Sequence, residues 1–374
     1  MKTTLKLALI FLTLGCKTVY SQNGFDYQKV PDNIRSKTTV SDDERAKTIA
    51  NVSNLYDLTK SLPSGFARDG SVDYTDYLQN GINSNQNVIF PDFPVLINSK
   101  GLSLKSNTTV VFAKNSKLIL SPTSSGSYQV IRMHGLNNVR LYYPNIVGDR
   151  NRHIGSEGQW GMGISIRGGS DHEVYNANVS NCWGDGIYLA DGVKNVTLNS
   201  PYVDNNRRNG ISIVSASGIK IYNALASNTN GTEPMAGIDI EPNRNADIID
   251  NILVQDPVTY NNKIRGVLFV LKSLAGPVGK NVNVDIVNHK DIGSGYGMGF
   301  YNGSKKQGAL PVKGNIHIVN PDWSGSRQSP IFMDKDMDSN QVDLKITHAR
   351  TGRKTVSDLK SISSQAKNVE FDDN

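Results

Sequence analysis

Five times between residues 163 and 269 a glycine opens a short alternating apolar strand. The phrases are Gly163-Ile-Ser-Ile, Gly186-Ile-Tyr-Leu, Gly210-Ile-Ser-Ile, Gly237-Ile-Asp-Ile and Gly266-Val-Leu-Phe. The glycines are 23 to 29 residues apart. A strand that returns at this interval is an internal repeat, and repeats of this length imply units that stack on one another. With strands rather than helices inside each unit, the architecture that satisfies the pattern is a β-solenoid.

The composition agrees. The chain has 374 residues, long for one compact core but ordinary for a column that lengthens coil by coil, and only 37% are hydrophobic. A narrow interior needs few apolar residues, and the many Gly and Asn suit turns with positive φ. The formal charge is +6, near +3 without Lys2, Lys6 and Lys17 of the N-terminal segment. There is no basic run with interleaved aromatics, so nucleic acid is not expected as a partner. A mild positive bias suits an anionic sugar polymer. The two cysteines, Cys16 and Cys182, make no disulfide framework. Cys182 reads as buried packing.

Residues 1–21 have the form of a secretory leader: Lys2 and Lys6, an apolar run from Leu7 to Gly15, and a small-residue cleavage site ending at Ser21. The reading is a secreted or periplasmic protein, with lipid anchoring at Cys16 as the alternative and no transmembrane segment. Residues 22–86 form an N-terminal extension with capping helices. Ser41 and Glu44 make a capping box for a helix running to Leu62, and a second helix spans about Thr75 to Ile82. Helices here would lie on, or cap, the first coil, whose open end otherwise exposes backbone groups. Short strands then fill residues 87–350, three per coil, with Asn195 and Asn223 as candidates for ladders inside the column. Residues 351–374 are a tail or C-terminal cap with one helical phrase, Val356 to Ile362. The unit is expected to be a monomer.

The glycine-led rungs, with G-D-R-N-R-H (148–153), G-Q-W-G-M-G-I (158–164), W-G-D-G-I-Y (183–188) and A-G-I-D-I-E-P-N (236–243), resemble the pectate-lyase-like superfamily of carbohydrate-active proteins. The resemblance covers about residues 70–345. It implies an all-β chain, a right-handed parallel β-helix with three strands per coil and an N-terminal helical cap. The family holds lyases, inverting hydrolases, C5-epimerases and tail-spikes, so the fold alone does not choose among them. The N-T-D and D-D pattern of polygalacturonases and the D-P-H-E pattern of alginate epimerases are absent.

Stacking the rungs brings chemistry together. Equivalent residues of successive coils lie ~4.8 Å apart. With the residues one and three after each glycine pointing inward, the outward ladder is Ser165, Tyr188, Ser212, Asp239 and Leu268, followed two residues later by Arg167, Ala190, Val214, Glu241 and Val270. Turns and loops add Asp149, Arg150, His153, Trp160, Trp183, Asp185, Arg207, Arg208, Lys263, Arg265 and Asn243. Aromatic rings with arginines and carboxylates are what a sugar polymer needs.

The expected activity is β-elimination on a uronate polymer such as ulvan, alginate or pectate. Arg208 or Arg265 would neutralise the carboxylate, or Asp239 and Glu241 would hold a Ca²⁺ that does so. Tyr188, His153 or Lys263 would be the base. The alternatives are inverting hydrolysis through Asp239 and Glu241, ~6.6 to 6.8 Å apart along the strand, with Asp185 ~10 Å from Asp239, where an inverting pair needs ~6.5 to 9.5 Å; epimerisation on the same face; or a non-catalytic binding or adhesion solenoid. Asp185 between two glycines also fits a turn-capping role, and Arg208 a pairing between coils.

Overall fold

Each short strand pairs with the equivalent strand one coil away rather than with its neighbour in sequence. In the computed structural model, which describes residues 24–302, 308–334, 341–352, 359 and 369–372, this gives three parallel sheets. One has twelve strands and the other two have nine each, every neighbour being the next coil's equivalent strand. The expected parallel solenoid with three strands per coil is therefore the fold. The first sheet already begins at Leu55–Asp57, which pairs with Asn87–Phe90, and Val369–Asp372 adds to its far end. Residues 1–21 and Cys16 lie outside the described residues, as does the phrase 356–362 except Leu359.

The rung glycines owe their place to close approach rather than to positive φ. A Cβ on Gly163, Gly186, Gly210, Gly237 or Gly266 would lie 2.4 to 2.8 Å from the carbonyl oxygen of the next rung glycine or its equivalent. The corners are turned instead by asparagines at positive φ, among them Asn181, Asn205, Asn228 and Asn261. Asn tolerates this region better than other residues with a Cβ. These side chains link coils, Asn205 Nδ2 to Asn181 Oδ1 at 2.7 Å and Asn261 Nδ2 to Asn228 Oδ1 at 2.8 Å. Asn195 and Asn223, expected inside the column, are exposed residues at positive φ, the first within the strand Val193–Asn199 and the second at a corner. Gly210→Ala, with its Cβ 2.4 Å from the Gly237 oxygen, should destabilise by about 1–3 kcal/mol. An unchanged thermal midpoint would remove the close-approach explanation.

Among the described residues three α-helices precede the main coils: α1 (Asp32–Arg35), α2 (Asp42–Asn51) and α3 (Thr75–Ser84). Ser41 caps α2 as expected, accepting from the Glu44 amide at 3.1 Å. The helix stops at Asn51, short of Leu62, because Asn54 turns the chain at positive φ and Leu55–Asp57 joins a sheet. α2 lies along the flank, with Arg45 donating to the Phe112 carbonyl and Thr48 bonded to the Tyr143 hydroxyl. α3 places Leu78 and Ile82 in the core beside the first coils. The arm before them crosses the asparagine corners, pairing Gln28 with Asn228 and the Asp26 carbonyl with Asn261. Among the described residues no helix is long and apolar enough to cross a membrane.

The sheets differ in how their outer faces are treated. In Lys280–Val287 of the twelve-stranded sheet, covered and exposed residues alternate in the main. In Ile187–Ala190, Ile211–Ile213 and Ala236–Ile240 every residue is buried, outward ones included. Long connections flank strands of that sheet, 148–159 and 228–235 before them and 241–248 and 271–279 after them. This covered face holds the candidate site.

Candidate functional site

The ladder of outward residues forms in the expected register. Ser165, Tyr188, Ser212, Asp239 and Leu268 are consecutive parallel partners. Asp239 is fully buried. Its Oδ2 accepts from Asn209 Nδ2 at 2.7 Å, while its Oδ1 is buried with no hydrogen-bond partner among the described residues. Glu241 lies just past the strand end and keeps 26% of its side chain exposed.

Arg208, from the turn one coil earlier, ties the carboxylates together. Its Nη1 donates to Asp185 Oδ2 at 3.1 Å and its Nη2 to Glu241 Oε2 at 3.2 Å. Asp185 is also buried, and accepts from Ser212 Oγ at 2.9 Å and the Asn209 amide at 3.1 Å. Three acids therefore share one buried cation. Burial pushes the Asp185 carboxyl up, and Arg208 with the Ser212 bond offsets part of this. Burial also raises Asp239, well above the carboxylate range, and repulsion from Glu241 adds to it. Burial works against the Arg208 charge, but Asp185, Asp239 and Glu241 outweigh it and hold the guanidinium above its ordinary value.

Around this core stand three of the other expected residues. Trp160 is 38% exposed, with the Arg208 guanidinium 5.4 Å from its ring centroid. Tyr188 is buried, and burial raises its phenol despite the opposing Arg167. Arg167 lies 4.8 Å over the Tyr188 ring and donates to Ser165 Oγ, which also bonds His134.

The remaining candidates are held elsewhere. Trp183 is only 7% exposed, its Nε1 donating to the Glu157 carbonyl and its ring stacked on His153 at 3.8 Å. The His153 side chain is buried with Nδ1 2.7 Å from Asp149 Oδ2. Arg207 lies 3.9 Å over Trp183 and donates to the Gly158 and Ser156 carbonyls. Arg150 is buried, reaching Asn205 and Asn230. Trp183, His153, Arg207 and Arg150 thus fasten the 148–159 connection. Arg265 donates to the Pro234 carbonyl and to the Tyr301 hydroxyl, at the apolar end of the same face with Leu268 and Val270. Asn243 is exposed in the next turn, its amide donating to Asp247. Lys263 sits in the turn before Arg265, its amide donating to the Thr229 carbonyl. Cys182 is buried and unpaired by disulfide, as expected.

A family model for the right-handed β-helix region matches residues 97–305, more than half of the chain. The chain belongs to the right-handed β-helix family. Among curated proteins this β-helix is similar to YclG of Bacillus subtilis (strain 168), 26% identical over 291 residues, 67% of this chain and 47% of that one. It is also similar to the SPbeta prophage-derived YorA of the same organism, 24% identical over 38% of this chain and 28% of that one. The chain thus spans less than half the length of the curated relatives it matches. Solved structures sharing the fold include endo-xylogalacturonan hydrolase from Aspergillus tubingensis (TM-score 0.57, 12% identity, 79% of this chain and 84% of that one). Another is the tailspike of E. coli bacteriophage HK620 in complex with a pentasaccharide (0.61, 12%, 85% and 63%). A third is the tailspike gp49 of Acinetobacter baumannii bacteriophage Fri1, a capsular polysaccharide depolymerase (0.50, 15%, 86% and 62%).

In this β-helix the expected calcium pair is short of donors. Calcium takes six to eight oxygens. Glu241 Oε2 and Asp239 Oδ2 already accept from Arg208 and Asn209, and the guanidinium brings positive charge to that corner. Among the described residues no group of three or more His, Cys, Asp or Glu is placed to hold a metal. Sequence reasoning passed over Asn209. It donates to Asp239 and to Ser212, and its Oδ1 accepts from the Ala236 amide. Its signal was there, since Asn209 precedes the rung glycine of the coil between Asp185 and Asp239.

Proposed function

We propose that the chain is an exported glycosidase that hydrolyses an acidic polysaccharide at this face, with Asp239 as general acid and Glu241 as general base. One observation carries the reading: the fully buried Asp239 carboxyl, raised by burial and by Glu241 and with one oxygen unpartnered among the described residues, lies beside a second carboxylate that is partly exposed and ion-paired. A buried carboxyl raised by its surroundings beside a partly exposed carboxylate is an arrangement that suits the acid and base of glycoside hydrolysis. Arg208 gives the substrate its way in. A sugar carboxylate that draws Nη2 away from Glu241 both frees the base and opens Asp239 to the glycosidic oxygen. Trp160 offers a stacking surface alongside. The polysaccharide-active relatives sharing this fold, a xylogalacturonan hydrolase and a capsular depolymerase, support the substrate class. The leader-like residues 1–21 support export.

Elimination on a uronate is the second reading, favoured by the Arg208 and Arg167 guanidinia beside the Tyr188 hydroxyl. Of its candidate bases, Tyr188 is raised by burial and suits proton donation, and His153 is enclosed beneath Trp183, which leaves Lys263. Incubation with pectate, alginate, ulvan and neutral glycans separates the readings. Hydrolysis gives reducing ends without ultraviolet absorbance from an unsaturated uronate. That absorbance would replace hydrolysis with elimination. Proton exchange at C5 without chain cleavage would mean epimerisation, and retained binding with no chemistry a binding or adhesion solenoid.

A further inference from the structure

We propose a second saccharide-binding site, on the outer face of the twelve-stranded sheet, that takes a carboxylate-bearing sugar. Where the last turn of α2 leaves that sheet there is a cavity of about 300 Å³, lined among others by Thr48, Asn51, Asn87, Thr109, Arg140 and Tyr142. The outward ladder here runs Val111, Tyr142, Tyr175, Asn199, Tyr222. Val111 is fully buried, and Ile49 and Val52 at the α2 end pack against the core. Tyr142 is thus the first ring of the ladder, and it lines the cavity. It stacks on Tyr175 of the next coil with centroids 4.8 Å apart and planes 7° apart, so its orientation is fixed.

The polar lining is also set in place. Asn87 donates to the Ser53 carbonyl and accepts from the Thr109 amide. Arg140 approaches Glu173 with Nε, at 3.5 Å. No acceptor among the described residues bonds its two terminal nitrogens. Glu173 is itself engaged by the Tyr175 hydroxyl at 2.9 Å. The cavity lining has one cation and no carboxylate. A rigid ring, amide and hydroxyl groups and an open guanidinium fork match a sugar with one C–H face and one carboxylate. A lining this polar does not suit an apolar ligand. The cavity is on a different sheet from Asp239, so one polymer or two could engage both sites, raising avidity without a new contact in the cleft.

The test is calorimetric titration of the full chain carrying Asp239→Asn with trigalacturonate and with its carboxyl-reduced form. The expected result is two classes of site. Adding Tyr142→Ala weakens one of them by about tenfold, and Tyr142→Phe restores it. Arg140→Gln, at a half-exposed position, makes the two trimers bind that site equally. Adding Trp160→Ala weakens only the other site. Trimer binding that is insensitive to Tyr142→Ala and Arg140→Gln, or absent, overturns the second site. If what remains is sensitive to Trp160→Ala, the cleft reading stands without it. Tyr142-sensitive binding with no Trp160-sensitive site supports the second site and counts against the cleft.

Discussion

Replacing Asp239 with Asn should lower kcat by about 10²–10⁴-fold, the contribution of a positioned proton donor, while leaving KM nearly unchanged. Asn keeps the shape and the neighbouring Asn209 contact but has no proton to give. The same change should stabilise the protein at neutral pH. Burial and Glu241 raise the folded pKa of Asp239, whereas the unfolded chain ionises near the ordinary value of about 3.9. With the folded value the higher one, Asp239 contributes its full stability below about pH 4 and loses it as pH rises through the folded pKa. The Asn variant does not titrate, so its advantage in thermal midpoint grows from acid to neutral pH. Wild-type turnover should fall on the alkaline side as Asp239 loses its proton. A variant that turns over at the wild-type rate, or that is less stable at neutral than at acid pH relative to wild type, would sink the assignment.

Arg208→Ala should destabilise by about 3–5 kcal/mol, the usual effect of leaving buried carboxylates without their cation, and abolish turnover as well. The bonds to Asp185 and Glu241 make Arg208 a structural clamp too. Arg208→Lys should not rescue, because a point ammonium does not span both carboxylates as the planar fork does. Adding Asp185→Asn to Arg208→Ala should recover part of the loss, since it removes a fully buried charge. Urea unfolding of the two single variants and the double variant measures the coupling. A loss under about 1 kcal/mol for Arg208→Ala, the size of an exposed pair, would show that the guanidinium does not hold the cluster.

How much of this was legible varies residue by residue. The register Tyr188–Ser212–Asp239 followed from the glycine spacing, because a parallel stack leaves each rung one partner in the next coil. That Arg208 would lie beside Asp185 and Glu241 was open, since a turn residue is free to point along either flank. Trp183 and His153 misled for the same reason. Flat aromatic and imidazole groups near a cleft have the composition of a sugar platform, but here they stack on each other and clamp a connection. Asn209 was missed because an Asn beside a rung glycine reads as a turn residue. Its side chain faces the buried acids only because the coil closes behind it.

The sequence by itself determined the architecture and the ladder. The interval between glycines, the inward pair of apolar residues and the asparagine corners are local rules, and repetition makes them reinforce one another from coil to coil. Only the tertiary structure decided which of the three faces is covered, which carboxyls are buried, and which arginines hold loops. Those outcomes depend on burial, and burial comes from connections folding back over a sheet, with no period in the chain to announce it.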